Sequence, residues 1–333
     1  MRSTRAASTV VLLVTTTLVL AACGGGSPST LHTSGTSADK IANVWWLMFG
    51  LAVVVYVVVA AFIVVAFVRG RGRTTSGPAS RISDNAFVWI GGLVVPAVIL
   101  IVLGIVTVTT GRALRAPDRG ALVVDVIGKD WWWKVQYPGR GITTANEIHL
   151  PVGQPVEVRL TSDNVVHSFW VPELAGKVDT IPGQVNVLRF TADRSGTYLG
   201  LCAEFCGLQH ANMHFQVVAQ SPGDFERWAT QEARPTAEPT SEEQAQGELV
   251  FVRSSCAGCH TVRGTPAVGT RGPDLTHLAS RRTIGAVTVE NTPSNLSRWI
   301  ANAGSAKPGV LMPPALLSAP DLAAVLAYLE SRS

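Results

Sequence analysis

Two long stretches without any charged side chain constrain the fold of this chain more than any other feature. Residues 45–68 and 86–110 are each about 24 residues long and contain no Asp, Glu, Lys or Arg. As α-helices they would measure roughly 36 Å, enough to cross a hydrocarbon core of about 30 Å. A soluble core helix of this length would carry a polar stripe, and neither stretch has one. We therefore expect a transmembrane hairpin over residues 44–112, with helices at about 45–68 and 86–110.

The charges between the two stretches predict the orientation of the hairpin. The connecting loop contains Arg69, Arg71, Arg73 and Arg81 against a single acidic residue, Asp84. Loops rich in Arg and Lys remain on the cytoplasmic side of a bacterial membrane. The N-terminus and everything after residue 110 are therefore expected on the outer face.

The N-terminus has the pattern of an export signal. Arg2 and Arg5 precede an apolar run over residues 10–20, and Leu-Ala-Ala then leads directly to Cys23. Ordinary signal-peptidase cleavage would leave Cys23 incidental. The pattern also resembles the bacterial lipoprotein box, in which that cysteine is diacylated and becomes the new N-terminus. We favour this second interpretation: residues 1–22 form a lipoprotein signal peptide, Cys23 anchors the chain to membrane lipid, and residues 23–43 form an external tether.

Residues 121–220 show the period-two pattern of β-strands. Val156, Val158 and Leu160 alternate with polar residues, and Pro-Gly turns separate several such segments. This pattern predicts an antiparallel sandwich or barrel of about 100 residues.

One loop of this domain carries candidate metal ligands. Cys202 and Cys206 lie four residues apart, and His210 and Met213 follow closely. A disulfide is the main alternative in an exported domain. Two thiols, an imidazole and a thioether together favour copper, whereas a thioether is a poor ligand for zinc.

The loop resembles the CuA signature of cytochrome oxidase subunit II, and residues 166–170 resemble the segment that carries the first histidine of that family. The resemblance implies a cupredoxin-like domain with two coppers bridged by the two thiolates. It also implies magnesium binding by the Glu204 side chain at the interface with subunit I. The implied copper ligands are His167, Cys202, the backbone carbonyl of Glu204, Cys206, His210 and Met213.

The aromatic segment at residues 131–133 resembles the place where electrons enter in the same family. Its first residue, Trp131, is the implied electron acceptor, although the three Trp side chains could equally be sandwich core. The glutamate that many members carry before the second helix is Ala86 here. Asp84 could replace it in a proton path, but a solvated loop carboxylate is the simpler interpretation.

A second motif follows a segment rich in Pro, Thr, Ser and Glu, residues 221–243, which we expect to be a mobile linker. Cys256 and Cys259 are followed directly by His260, the pattern of covalent c-type haem attachment with a proximal imidazole. A redox-active dithiol is the alternative, but it would give the histidine next to Cys259 no function. Residues 244–333 are therefore predicted to form an all-α class I cytochrome c domain.

The second axial ligand of the haem has two candidates. Met312 is the only methionine outside the membrane and copper segments and the initiator position, and His277 is its rival. Met312 is favoured, because His/Met ligation raises the potential of a haem that donates to copper. The segment around Pro273 resembles the family loop whose proline carbonyl accepts the N–H of the proximal histidine.

Taken together, the resemblance implies an electron-transfer subunit of a caa-type oxidase. Electrons from a cytochrome bc complex or cytochrome c would pass through haem c and CuA to subunit I, which holds haem a and CuB and reduces oxygen beside subunit III. The intact copper ligands argue against a quinol oxidase subunit, and the large catalytic domain of nitrous oxide reductase is missing. A CuA and haem c subunit of a nitric oxide reductase and a membrane copper-binding protein remain alternatives. A formal net charge of +4 gives no reason to expect nucleic acid as a partner.

The lipoprotein interpretation predicts the outcome of replacing Cys23. Cys23→Ser removes the thiol that would be acylated, so fatty-acid labelling of the mature chain should be lost. Metabolic labelling with palmitate measures this. Unchanged incorporation in the variant would show that Cys23 is incidental.

Overall fold

The computed structural model describes residues 28–70 and 84–333. The predicted signal peptide, Cys23, Arg71, Arg73 and Arg81 lie outside the described residues, so those predictions stay predictions.

Two long apolar helices precede the folded domains. Helix α1 spans Thr36–Gly70, and the second helix consists of α2 (Asp84–Trp89), a π-helical turn (Ile90–Val94) and α3 (Val95–Arg115). Pro96 follows that turn, and its missing N–H opens the regular hydrogen-bond ladder there. Both helices are long and apolar enough to cross a membrane, and none of the residues in their apolar windows is buried within the chain. They are the transmembrane helices of the protein.

The start of α1 differs from the sequence prediction. The helix begins at Thr36, well before the predicted position of about 45, and the preceding residues pack on the β domain. Ser34 N–H donates to the Glu173 carbonyl at 2.7 Å, and Thr36 N–H donates to the Thr191 carbonyl at 3.0 Å. The prediction of an external tether over residues 23–43 is therefore wrong for residues 34–43. Backbone N–H groups at the start of this segment donate to carbonyl groups of the sandwich rather than to water.

The first external domain is a sandwich of two five-stranded sheets, in the orders β3-β2-β1-β5-β8 and β4-β10-β9-β6-β7. The prediction of a sandwich is confirmed, although the sheets are mixed, since β1 pairs with β5 and β4 with β10 in parallel. The strands are β1 (Leu122–Lys129), β2 (Trp132–Tyr137), β3 (Ile142–Ala145), β4 (Glu147–Pro151), β5 (Val156–Ser162), β6 (His167–Trp170), β7 (Val178–Thr180), β8 (Asn186–Phe190), β9 (Gly196–Cys202) and β10 (His214–Gln220).

Aromatic side chains fill the space between the sheets next to the predicted metal ligands. Trp133 is fully buried, and its ring lies 5.7 Å from that of Phe169 and 5.4 Å from that of Phe215. The His167 ring lies 5.9 Å from Trp133. The same core therefore supports both the sheets and the first predicted copper ligand.

The first half of the predicted mobile linker is a docked helix, α4 (Pro222–Glu232). Ser221 caps it by accepting a hydrogen bond from the Asp224 N–H, and Phe225 and Ala229 join the sandwich core. Trp228 stacks on His149 at 4.2 Å. The linker prediction is wrong over this stretch, because polar composition concealed an apolar face of three residues at helical spacing.

The C-terminal domain is helical, as predicted, with one short hairpin in addition. Its elements are α5 (Glu242–Arg253), α6 (Cys256–Cys259), β11 (Thr283–Ile284), β12 (Val289–Glu290), α7 (Pro293–Ala306) and α8 (Ala319–Glu330). Helices α5 and α8 cross in direct backbone contact at Gly247. A Cβ placed there would lie 2.0 Å from the Ala324 carbonyl oxygen.

The crossing at Gly247 predicts a strong effect of a single methyl group. Gly247→Ala must separate the two helices, since a backbone carbonyl cannot rotate away as a side chain can. Overpacking of this kind costs about 1–3 kcal/mol, and we expect a value near the top of that range for this domain. Differential scanning calorimetry of the purified chain measures it. Gly223→Ala, in α4 with only a flexible arginine end nearby at 3.7 Å, is the control and should be close to neutral. Equal effects of the two changes would contradict the interpretation.

Candidate metal centre and haem cavity

Three predicted copper ligands converge inside the sandwich. His167, Cys202 and Cys206 are buried, and one ligand atom from each lies within 4.8 Å of the other two. The two sulfur atoms are 3.8 Å apart, and both thiols are free. A disulfide bond would need about 2.05 Å, so this is the spacing of two separate ligands.

Strand register brings these residues together from distant parts of the sequence. His167 is the first residue of β6, Cys202 is the last of β9, and Phe169 pairs with Cys202 across the two strands. Cys202 N–H also donates to the Met213 carbonyl at 3.1 Å, which closes the loop between β9 and β10. The ligand loop is thus a connection between two neighbouring strands, held at both ends by the sheet.

The remaining predicted copper ligands lie around the thiols. His210 Nδ1 lies 3.7 Å and Met213 Sδ 3.8 Å from the Cys206 sulfur. The Glu204 carbonyl oxygen is 3.3 Å from the Cys202 sulfur. The structure therefore brings all six predicted residues into one cluster.

The orientation of His167 leaves one ring nitrogen available to a metal. Its Nε2 lies 3.0 Å from Asn164 Oδ1, and an amide oxygen can only accept, so Nε2 carries the proton. Nδ1 then holds a lone pair, and it is buried without a hydrogen-bond partner among the described residues. A buried nitrogen without a hydrogen-bond partner, beside two thiols, is suited to bind a metal. Asn164 fixes the tautomer that leaves this nitrogen unprotonated.

The two thiols are hydrogen-bonded to each other. The hydrogen bond from Cys206 holds the pKa of Cys202 well below its usual range, while the same contact and burial raise the pKa of Cys206. Metal binding releases a thiol proton, because the thiolate is the ligand. Two thiols, two imidazoles, a thioether and a carbonyl match the soft and borderline donors that copper prefers, so these residues fit a binuclear copper centre.

The Glu204 side chain lies at the surface, where Lys177 Nζ is 3.8 Å from its carboxylate. The backbone carbonyl of Glu204 thus faces the thiols, whereas its carboxylate faces the surface. The predicted magnesium role of the carboxylate stays a prediction.

A cavity of about 440 Å³ in the C-terminal domain is lined by four of the five predicted haem residues, and Cys256, half-buried at the start of α6, is not among its lining residues. Cys259, His260, Pro273 and Met312 line it. His260 Nδ1 donates to the Pro273 carbonyl at 2.8 Å, which leaves Nε2 with a lone pair. Burial lowers the pKa of His260, which favours the neutral imidazole. A Cβ at Gly272 would lie 2.5 Å from the imidazole, so the histidine occupies space that only glycine leaves free. These residues fit a haem.

The two candidates for the second axial ligand lie in different places. Met312 lines the cavity that contains His260, whereas His277 lines a separate surface cavity. His277 Nε2 is 3.0 Å from the Arg234 carbonyl. This arrangement favours Met312.

Trp131 lies between the two sites. It is half-buried, it lines the haem cavity, and its indole N–H donates to the Cys206 carbonyl at 2.8 Å. One side chain therefore contacts both the copper loop and the cavity wall.

Sequence reasoning missed Asn164 and Lys307. Asn164 lies three residues before His167 in a polar run, a spacing that could have indicated an orienting role. Lys307 precedes Pro-Gly, a context typical of a surface turn. It is buried instead, and burial lowers its pKa to about 8.

Comparison with known proteins identifies both external domains. The family "Cytochrome C oxidase subunit II, periplasmic domain" matches residues 139–221, and the family "Cytochrome c" matches residues 244–333. "Cytochrome c oxidase subunit 2" of Alkalihalophilus pseudofirmus is 34% identical over 313 residues, which cover 91% of this chain and 90% of that protein. "Cytochrome c oxidase subunit 2" of Bacillus subtilis is 32% identical, with 84% of each chain covered. "Quinol oxidase subunit 2" of Bacillus spizizenii is 30% identical over 66% of this chain and 70% of that protein.

Among solved structures, the periplasmic domain of subunit II of cytochrome oxidase (CoxB) of Bradyrhizobium japonicum is 29% identical. The match covers 35% of this chain and 95% of that chain, with a TM-score of 0.34.

The orientation of His167 predicts the effect of removing Asn164. The purified chain should bind two coppers. Asn164→Ala should weaken copper binding about 10–100-fold, because loss of a hydrogen-bond partner that orients a metal-bound histidine lowers metal affinity by about this factor. Competition with a copper chelator, followed by metal analysis, measures this. Asp163→Ala is the control from the same loop, since Asp163 pairs with Lys129 instead. A wild-type chain that forms a Cys202–Cys206 disulfide and binds no copper would contradict the site.

Proposed function

The chain belongs to the cytochrome c oxidase subunit 2 family and carries a cytochrome c domain, and from this premise we propose that it conducts electrons from an external donor through a covalent haem c to a CuA centre and on to subunit I. As an oxidase subunit, it has no oxygen-reducing role of its own in this proposal. Oxygen would be reduced to water in subunit I.

The observation that carries the proposal is the position of Trp131. Its indole N–H donates to the Cys206 carbonyl, and its ring lines the cavity with His260 and Met312. Trp131 therefore provides an aromatic, hydrogen-bonded path for an electron that moves from the cavity to the copper loop. This supports the role of Trp131 as the residue through which electrons enter the copper site.

At the haem end, the residues of the chain attach the cofactor and set its electronic properties. Cys256 and Cys259 would form the two thioether bonds, and His260 would be the proximal ligand, its ring held by Pro273. Met312 would be the distal ligand, which favours the ferrous state and raises the potential. When bound, the haem and the copper pair each supply reversible one-electron chemistry at these positions.

At the copper end, the chain holds its ligands rigidly. His167 and Cys202 belong to paired strands, and buried Trp133 and Phe169 pack behind them. Little reorganisation is then needed when the charge at the site changes. Rigid, buried ligands of this kind support a role in electron transfer rather than in copper delivery.

The chain's surroundings follow from the same proposal. The two helices would place it as a multi-pass protein in the bacterial cell membrane, with Arg69 near the cytoplasmic face and both cofactor domains on the outer face. Subunits I and III would be the partners in the membrane, and a cytochrome bc complex or cytochrome c the donor. Glu204 would hold magnesium at the contact with subunit I, Cys23 would carry lipid, and Asp84 remains a candidate for a proton path.

The test is oxygen uptake by the complex that co-purifies with this chain, together with replacement of Met312. Met312→Ala should abolish the weak far-red sulfur-to-iron band, lower the haem potential and slow oxygen uptake, because reduction by the donor becomes less favourable. The haem should survive acid–acetone extraction, since its two thioether bonds do not depend on the distal ligand.

His277→Ala is the matched control and should leave the band intact. Loss of the distal ligand field in that variant alone would assign His277 instead of Met312. A complex that consumes nitric oxide and not oxygen would replace the oxidase assignment with a nitric oxide reductase.

A further inference from the structure

Lys307 occupies an unusual place for a lysine. It is almost fully buried, with 1% of its surface exposed, at the contact between the C-terminal domain and the sandwich. Its ammonium donates three hydrogen bonds, to the carbonyl oxygens of Trp131 at 3.0 Å, Asn212 at 2.7 Å and Gly285 at 2.9 Å. An ammonium has three N–H donors, so all of them are used.

The three acceptors come from two domains. Trp131 and Asn212 belong to the sandwich, and Gly285 belongs to the C-terminal domain with Lys307 itself. Burial of a charge is costly unless hydrogen bonds replace its hydration. Separation of the domains would remove two of the three bonds. Loss of the ammonium would take this donor from the Trp131 and Asn212 carbonyl groups, whereas the Gly285 carbonyl would keep the Thr288 hydroxyl as a donor. The burial of Lys307 and the contact between the domains therefore depend on each other.

The acceptors also lie next to both redox sites. Trp131 contacts the Cys206 carbonyl, Asn212 immediately precedes Met213, and Gly285 lines the haem cavity. One side chain thus bonds to the copper loop, to the connecting tryptophan and to the cavity wall.

We propose that Lys307 is a positioning residue that holds the cytochrome domain against the copper domain, so that electrons pass between the two centres of one chain from a single docked geometry. This inference rests on the proposed electron-transfer function. Lys307 also lines the haem cavity. Electron tunnelling falls off exponentially with distance, so a residue that sets the separation of the two centres controls the rate of transfer between them.

Other contacts between the two domains surround this position. Gln209 donates to the Pro308 carbonyl at 2.5 Å, next to Lys307 in the chain. At another point, Arg282 N–H donates to the Glu147 carboxylate at 2.9 Å. These bonds restrain the orientation of the domain, whereas Lys307 bonds directly to Trp131.

Lys307→Met is the test variant, because it is unbranched, is only one heavy atom shorter than lysine, and removes the charge and the donors. In the purified complex, electron transfer from haem to copper after rapid photoreduction should slow about tenfold or more, as the docked population falls. Hydrogen exchange of residues 207–212 and 283–287 should increase in parallel. The haem and copper spectra should not change.

Arg298→Met is the control, since this exposed cation lies on α7 and bonds to Asn295 within its own helix. It should leave both the rate and hydrogen exchange at wild-type values. Lys307→Arg, which retains charge and donors, should restore part of the rate. A Lys307→Met complex with wild-type transfer and exchange would overturn the proposal. If the wild-type haem itself failed to reduce copper, the proposed function would fail instead.

A measurement on the wild-type chain covers the case in which Lys307→Met does not fold. Amine-reactive labelling followed by mass spectrometry should modify Lys177, whose side chain is 52% exposed, much faster than Lys307. Equal labelling rates would show that the domains are not held together at Lys307, and would overturn the proposal.

Discussion

The close approach of the sulfur and nitrogen atoms of the predicted copper ligands is the constraint on which the rest of the sandwich domain depends. The cluster draws on residues separated by nearly fifty positions, from His167 to Met213. No loop alone could bring them together at low entropic cost. Paired strands can, because the register of β6 and β9 places His167 and Cys202 on one face, and a close-packed aromatic core prevents their displacement. The sandwich is thus the scaffold of the predicted ligands. The C-terminal domain contacts it at the loop that carries them, through Gln209 and Asn212.

The linear motifs made much of this site accessible from sequence. Cys202, Cys206, His210 and Met213 lie in one loop, and Cys256, Cys259 and His260 in one turn, so residue types and spacing together indicate copper and haem attachment. The binuclear arrangement and the role of His167 followed only from the resemblance to the family. The two membrane helices were predictable from the length of the uncharged stretches, and the sandwich from the period-two pattern of its strands. Helix α4 was not, because its amphipathic face is short and its composition is that of a linker. Lys307 was not, because only tertiary contacts distinguish a buried lysine from one on a surface turn.

The contact between the two folded domains includes buried charged and polar groups beside apolar side chains such as Leu208. Besides Lys307, it includes buried Glu232 at the end of α4, whose pKa is raised by burial although His277 and Arg281 of the C-terminal domain oppose this. Interfaces of this character resemble those between transient partners more than they resemble a domain core. Such an interface specifies one orientation through its hydrogen bonds. It does not need the large apolar area that would make separation of the domains impossible.

The docked helix α4 also determines how far the cytochrome domain can ever move. Because α4 ends at Glu232 and α5 begins at Glu242, only the residues between them connect the domains. Even this segment is held, since Arg263 donates to the Glu232 carbonyl at 2.5 Å and Arg332 to the Ala237 carbonyl at 2.6 Å. A short connection gives the haem domain a millimolar effective concentration at its docking surface. In the proposed function, electron delivery to copper would then be a first-order event, independent of how many carrier molecules the compartment contains. The concentration of the external electron donor would then affect only the step in which the haem is reduced.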